Sequence, residues 1–551
     1  MTTTSSPDPS AVSAVFPDRE GFSDREGPSG NSSALPHRFG RNVAMNYMAQ
    51  GVAALTAIIM TPLLLHHLGR SAFGIWVLAS GVVVYLELFE LGFGGATTKL
   101  IAENASPRPD QALRTLNTTF FALMPLGLLA MATGTGIAFA FPSLFHVPPQ
   151  LHHQVIVVVL ILALGLAVSI PGDTFGGALM GHQRYDLLGL SNSLLVLSSF
   201  VSSVVIVELG GGLVALATGL TSLGIAFHFV RFWMIRRIAP GTRISWHLAQ
   251  WSQLRTVMQL SGWFLLNAAL QAIYNACDVV VVGIVLGIRP AAVYAVASKL
   301  ATAATQGLDS VAAVFFPYAS SVSRNEDRGA LAEIAVDGTR AAMFVGMLIA
   351  LLYIILAQPG IRDWVGMGYG TSAHVLVVLA IAIALCSPIR VITMVLAGSG
   401  RIPLICAIRG VETVVNISLS VSLALVIGPV GVAVGTLGSI LLVRLPGLLF
   451  FGSRAIGIRP MTMLRRSVVP HIPAMAACAG ALLLMRGVAA HSIPGLAAAG
   501  VVGSLVYLVV YFAIGATGGD RHHALGAVAR FLPARWRPEV DPAFAEAEPG
   551  R

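Results

Sequence analysis

Long uncharged stretches alternate with short polar turns along almost the whole chain. A helix needs roughly 20 apolar residues to cross the hydrocarbon core of a bilayer. Fourteen stretches meet that length, near 43–65, 72–94, 116–141, 154–179, 187–207, 210–232, 262–285, 291–318, 340–357, 373–397, 405–427, 430–451, 468–488 and 494–517. Residues 1–37 hold no apolar run and are rich in Ser, Pro, Gly, Asp and Glu. That predicts a disordered cytoplasmic tail and excludes a secretory signal. Residues 518–551 form a second, basic tail, in which 524–532 is a candidate short interfacial helix.

Composition narrows the class. The 551 residues are 56% hydrophobic and only 11% charged, against about 25% charged in soluble chains. An all-α, polytopic membrane protein with 14 transmembrane helices is the class that fits. The net charge of +9 then describes loops and not a nucleic-acid surface. Counted from a cytoplasmic N-terminus, 27 of the 34 Lys and Arg fall on the cytoplasmic side. The opposite turns hold only Arg70, Arg289, Arg362 and Arg486, while Lys299, Arg390 and Arg444 lie within spans. Such a split obeys the positive-inside rule and predicts both termini in the cytoplasm. One missed span would scramble the alternation for everything after it.

The same local pattern occurs twice. Leu68-Gly69-Arg70-Ser71-Ala72-Phe73-Gly74 aligns without gaps on Leu286-Gly287-Ile288-Arg289-Pro290-Ala291-Ala292, an offset of 218, and Pro171, Gly181 and Arg184 match Pro388, Gly398 and Arg401 at 217. Six spans separate the copies, so the halves are expected to be parallel and related by an axis along the membrane normal. The organisation read from this is a six-helix bundle at 38–232, a cytoplasmic linker at 233–261 and a second bundle at 262–453. Two added helices follow at 454–517.

Catalytic chemistry has no obvious home. Neither a phosphate-binding Gly-x-x-x-x-Gly-Lys-Ser/Thr loop nor a His-Glu-x-x-His metal site is present. The first outer turn, His66-His67-Leu68-Gly69-Arg70, lacks the carboxylates a polytopic glycosyltransferase would want. The chain is therefore expected not to be an enzyme and to need no cofactor or metal. Cys277, Cys386, Cys406 and Cys478 all fall in apolar spans and read as buried thiols.

Ionisable groups inside spans are costly and mark a pathway or a buried pair. Glu87 and Glu90 share a face of span 2. Asp173 follows Pro171-Gly172, and its repeat mate is Arg390, so the two are candidates to meet across a cavity. Asp278 and Lys299 lie at similar depth on adjacent spans, as a plain pair or as an anion site with its counter-ion. Glu412 is level with Arg390 and is a second candidate partner for it, while Arg409 is expected to snorkel to the surface. Asn46, Gln50 and Asn267 are candidates to line a wet cavity or to join helices. Pro62, Pro171, Pro317 and Pro388 predict kinks.

The chain resembles a known family through Pro62-Leu63-Leu64-Leu65-His66-His67-Leu68-Gly69, Phe73-Gly74-Ile75-Trp76 and Leu91-Gly92-Phe93-Gly94. In the second half the resemblance rests on Asp278-Val279-Val280-Val281-Val282-Gly283 and Ala292-Val293-Tyr294-Ala295-Val296-Ala297-Ser298-Lys299. It is similar to the polysaccharide flippases, the Wzx-type O-antigen and exopolysaccharide transporters of the multidrug/oligosaccharidyl-lipid/polysaccharide exporter superfamily. The resemblance covers about 40–515 and implies a MATE-like fold of two six-helix bundles plus two helices. It implies a multi-pass protein of the bacterial inner membrane that flips a polyprenyl-diphosphate-linked oligosaccharide for surface or exopolysaccharide synthesis. Lys299 and Arg390 become the candidate substrate contacts. Glu87, Asp173, Asp278 and Glu412 become candidates for coupling or charge pairing. Implied partners are the lipid-linked oligosaccharide, membrane lipids, a polysaccharide polymerase and glycosyltransferases, with no nucleic acid. Alternatives are a drug/cation antiporter, a peptidoglycan-precursor flippase and a non-transporting membrane scaffold.

Overall fold

The computed structural model describes residues 34–90, 93–105, 108–323, 328–489 and 492–516. The described residues divide into two units after Met45. The expected tail helix at 524–532 and the tail at 518–551 lie outside the described residues. So does most of the tail at 1–37, except that 34–37 already belong to the first helix.

Every regular element among the described residues is helical. The first half runs α1 (Ala34–Leu86), α2 (Phe93–Asn104), α3 (Pro109–Leu144), α4 (His152–Gly172), α5 (Thr174–Gly181), α6 (Tyr185–Glu208) and α7 (Leu213–Ile238). The second runs α8 (Trp251–Leu286), α9 (Ile288–Ala313), α10 (Phe315–Ser323), α11 (Arg328–Val365), α12 (Gly370–Gly398), α13 (Ile402–Ile427) and α14 (Pro429–Ser439). Then come α15 (Ser453–Ile456), α16 (Pro460–Ser467), α17 (Ile472–Leu484), α18 (Arg486–Ala489) and α19 (Ile493–Val510).

Twelve helical stretches among the described residues are long and apolar enough to cross a membrane, two short of the fourteen expected. The stretches 43–65 and 72–94 meet in α1, whose backbone departs from helix only at Gly69. Helix α9 falls outside the twelve because Lys299, Thr302, Thr305, Gln306 and Asp309 dilute its apolar content. The expected linker at 233–261 is shorter than the sequence pattern suggested. Helices α7 and α8 run past their apolar cores, leaving only 239–250 between them. That connection is stitched to α3. Asn117 donates to the Arg243 carbonyl (3.0 Å) and accepts from the Ser245 amide (2.7 Å), and Thr118 accepts from the Gln250 amide (2.8 Å).

The repeat is visible in the backbone. Gly69 (φ 77°) and Gly287 (φ 91°) turn the chain at matching positions, both with ψ near 180°, a conformation open to glycine and costly for a residue with a Cβ. The pairs Gln183/Gly400 and Gly210/Gly428 repeat the positive φ at offsets of 217 and 218. Of the four prolines, Pro171 and Pro317 lie within three residues of helix breaks, at Asp173 and Val314. Pro62 and Pro388 sit inside continuous helices.

Most turns at one end, including 66–72, 286–290 and 364–370, carry few cations, and we call it the arginine-poor end. There a single apolar core joins the halves, with Phe73, Ile75, Leu78, Phe141 and Phe145 beside Ile288, Ala292, Val375 and Val432. Toward the arginine-rich end the cores separate. One surrounds Ile101, Leu116, Phe175 and Leu179, and the other surrounds Ile389, Ile392, Val395 and Ile405. Helix α2 also packs on α8. Helices α17 and α19 pair with each other and rest on α11 through a further cluster around Tyr507 and Tyr511. The four cysteines are buried and unbridged, as their apolar surroundings predicted.

Candidate functional site

The seam is tight where the two repeat turns cross. Ser71 and Arg289 occupy equivalent repeat positions and bond to each other, Nε to Oγ 3.3 Å. Gly74 lets α1 lie against α9, since a Cβ there would stand 3.0 Å from the Ile288 carbonyl carbon and 3.5 Å from Ala292 Cβ. Arg70 stacks on Tyr369 at 4.6 Å, and Trp364 donates to the Ile58 carbonyl at 3.0 Å.

The face of α9 that makes this closure continues beyond it with a different character. Ile288, Ala292 and Ala295 are buried. Lys299, Thr302 and Gln306 follow at helical spacing on the same face and are exposed. Lys299 thus lies seven residues, ~10 Å, below Ala292, under the closed end of the seam. Among the described residues it has no ion pair, so the expected pair with Asp278 does not form.

A cavity of ≈ 550 Å³ opens inside the second half, between α8, α9, α12, α13 and α14. Asp278 lines it and accepts from Tyr294 Oη and Thr436 Oγ1, both at 2.8 Å. Asn416 supports that network by donating to Thr436 Oγ1 at 3.1 Å. Glu412, 1% exposed, takes Arg444 Nε at 2.7 Å, and Arg444 lies 4.5 Å over the Tyr274 ring. Arg390 pairs with Asp309 across the cavity wall. Arg409 also reaches the cavity and donates to Asn267 at 3.2 Å. Glu412 Oε1 and Arg390 Nε are buried without a protein hydrogen-bond partner.

The first half carries its own cluster at the break between α4 and α5. Asp173 takes Arg231 Nη1 at 3.0 Å, and Arg231 also donates to Asn192 Oδ1 at 2.9 Å and Ser191 Oγ at 3.4 Å. His228 Nδ1 lies 3.9 Å from the same carboxylate. Glu87 and Glu90 lie within electrostatic reach of the same carboxylate.

Several expected pairings are therefore corrected. Asp173 and Arg390 do not meet, because each finds a partner in its own half. Glu412 neutralises Arg444 and not Arg390. Arg409 turns inward to Asn267 instead of snorkelling, which also makes Asn267 a helix-to-helix contact. The side chains of Asn46 and Gln50 lie outside those described. Depth along a span had suggested partners, but helix rotation chose them. Asp309, Arg231 and Arg444 are site residues that the sequence reading did not single out. Asp309 was legible as the polar residue continuing the Lys299–Thr302–Gln306 spacing. Arg231 was hidden by its place at a span end.

The model of a family described as "Polysaccharide biosynthesis protein" matches residues 39–323, just over half of the chain. The chain belongs to that family. It is 23% identical over 465 residues to "Probable flippase AglR" of Haloferax volcanii, covering 79% of this chain and 91% of that protein. It is 21% identical over 358 residues to "Uncharacterized membrane protein EpsK" of Bacillus subtilis, covering 62% and 68%. In fold it is similar to the lipid II flippase MurJ in an inward closed conformation, with a TM-score of 0.68 at 14% identity, covering 85% of this chain and 98% of MurJ. An inward-facing MATE-family multidrug transporter of the MOP superfamily gives 0.61 at 16% identity, covering 75% and 94%. This member of the polysaccharide biosynthesis family is thus a multi-pass membrane protein with a MurJ- and MATE-like fold.

Proposed function

We propose that this protein flips a polyprenyl-diphosphate-linked oligosaccharide across the cytoplasmic membrane by alternating access, with its arginine-rich end and both termini in the cytoplasm. One observation carries the reading: an exposed Lys299 stands on the seam face beneath a closure where one apolar core joins the halves. A diphosphate in hydrocarbon costs several kcal/mol at least. A cation between separable halves offsets that cost while the prenyl chain stays in lipid. Arg390 serves as the second phosphate contact, exchanging Asp309 for the substrate. Asp278 and Glu412 hold the second-half cavity in register, and the Glu87, Glu90 and Asp173 group takes up the coupling proton. A polymerase and glycosyltransferases are the partners this pathway requires.

The acid-rich first-half cluster favours one second reading, a drug/cation antiporter. Deletion of the gene separates the two. The flippase reading expects lipid-linked glycan to accumulate on the cytoplasmic face, whereas normal surface glycan with altered dye resistance supports the antiporter. Within the flippase reading, Lys299→Ala and Arg390→Ala abolish export at normal membrane levels. Wild-type export from both variants would refute the cationic pathway.

A further inference from the structure

Four arginines mark the turns of the arginine-poor end, and the closed seam uses two of them, Arg70 and Arg289. The other two, Arg362 and Arg486, line one cavity of ≈ 420 Å³ between the α11–α12 turn and the α17–α18 turn. Arg362 is anchored, its Nε donating to Asp363 Oδ1 at 2.8 Å, with Asp363 only 14% exposed. Arg486 is exposed and has no ion pair among the described residues. Gln358 adds an exposed amide to the lining, which contains no carboxylate. The second-half cavity is the opposite case, since its Arg390 and Arg444 are paired with Asp309 and Glu412.

The surroundings of this cavity are apolar. Met367, in its wall, is 84% exposed, and Leu484, two residues before Arg486, is 88% exposed. Both stand where helices long enough to cross a bilayer end, so they meet acyl chains just below the headgroups. A guanidinium fixed by a neighbouring carboxylate, a second one left unpaired, an amide donor and an apolar edge together suit one chemistry. That chemistry is a phosphate carried on a hydrocarbon chain, because guanidinium forks bind phosphate oxygens in pairs.

We propose that Arg362, Arg486 and Gln358 form a binding site for the phosphate headgroup of an anionic lipid in the leaflet at the arginine-poor end. The site is separate from the seam and from Lys299, and it stands whether or not the protein moves a lipid-linked glycan. Two lipids present this chemistry there: a bulk phospholipid such as phosphatidylglycerol, and a polyprenyl diphosphate carrier.

Native mass spectrometry of the full-length protein, titrated separately with phosphatidylglycerol, polyprenyl diphosphate and uncharged diacylglycerol, tests the site. Each charged hydrogen bond lost weakens binding by roughly tenfold or more. The double variant R362A/R486A is expected to lose at least one tightly bound anionic lipid. R486K, which keeps the charge without the fork, is expected to fall between it and wild type and to show that the protein remains folded. A larger loss for phosphatidylglycerol assigns the site to bulk lipid, and a larger loss for polyprenyl diphosphate assigns it to the carrier. Equal retention of both anionic lipids by wild type and the double variant overturns the proposal, as does equally tight retention of diacylglycerol at the site.

Discussion

The two halves place different groups around the charges in their spans. In the second half Asp309 meets Arg390. In the first half Asp173, 217 residues before Arg390 and so its repeat mate, takes Arg231 instead, with Glu87 and Glu90 within electrostatic reach. An aspartate and an arginine neutralise each other without help. Carboxyl groups gathered this closely are hard to ionise together. That makes the first half the candidate for the coupling proton proposed above, whereas the second half pairs Asp309 with Arg390 and Glu412 with Arg444. The counter-charge in the first half comes from Arg231 on α7, and in the second Arg444, on the stretch that continues α14, plays the like part for Glu412.

The largest effect is expected where the second half's balance is broken at its most buried point. Glu412→Gln leaves Arg444 without its carboxylate, and breaking a buried pair costs about 3–5 kcal/mol. Thermal unfolding in detergent should show the loss, and an unchanged midpoint would mean that the pair is not holding α13 to the π-helical turn Ile440–Arg444 that continues α14. A smaller change tests the contrast between the halves itself. Glu90→Gln keeps the size of the side chain but removes the proton proposed to couple transport. In wild type that proton departs as pH rises, so the rate of transport in proteoliposomes should vary with pH, whereas the variant's profile should be flat. Asp309→Asn should leave the pH dependence in place. Identical profiles for wild type and Glu90→Gln would end the comparison. The smallest effect is at Ser191, whose contact with Arg231 is long at 3.4 Å. Ser191→Ala should cost under about 1 kcal/mol, because Arg231 keeps Asp173 and Asn192. A larger loss of stability would shift the weight of the cluster from the carboxylate to the hydroxyl.

The parts that the sequence reading captured share a local origin. Apolar runs, short turns and the arginine bias act residue by residue on insertion into a membrane, so the helices could be located without knowing their neighbours. The repeat was legible because Gly69 and Gly287 do the same backbone task at the same register. Asp173, Asp278, Lys299, Arg390 and Glu412 stood out because charge inside an apolar run is rare. Their partners did not stand out. Asp278 reaches Tyr294 and Thr436, not Lys299, and Arg390 reaches Asp309, not Asp173 or Glu412. Two residues at one depth on neighbouring helices can face each other or face apart. A turn of 100° per residue separates those outcomes, and depth does not report it.

The sequence by itself determined an all-helical membrane chain, the positions of its apolar segments, its two arginine densities and its internal duplication. Hydropathy, turn chemistry and charge bias are properties of short segments and need no tertiary contact to be expressed. The tertiary structure alone decided which charges are neutralised, that one apolar core joins the halves at the arginine-poor end, and that Lys299 is left exposed below the joint. Those outcomes depend on how each helix is rotated and tilted, which is set by side chains from distant segments packing at once.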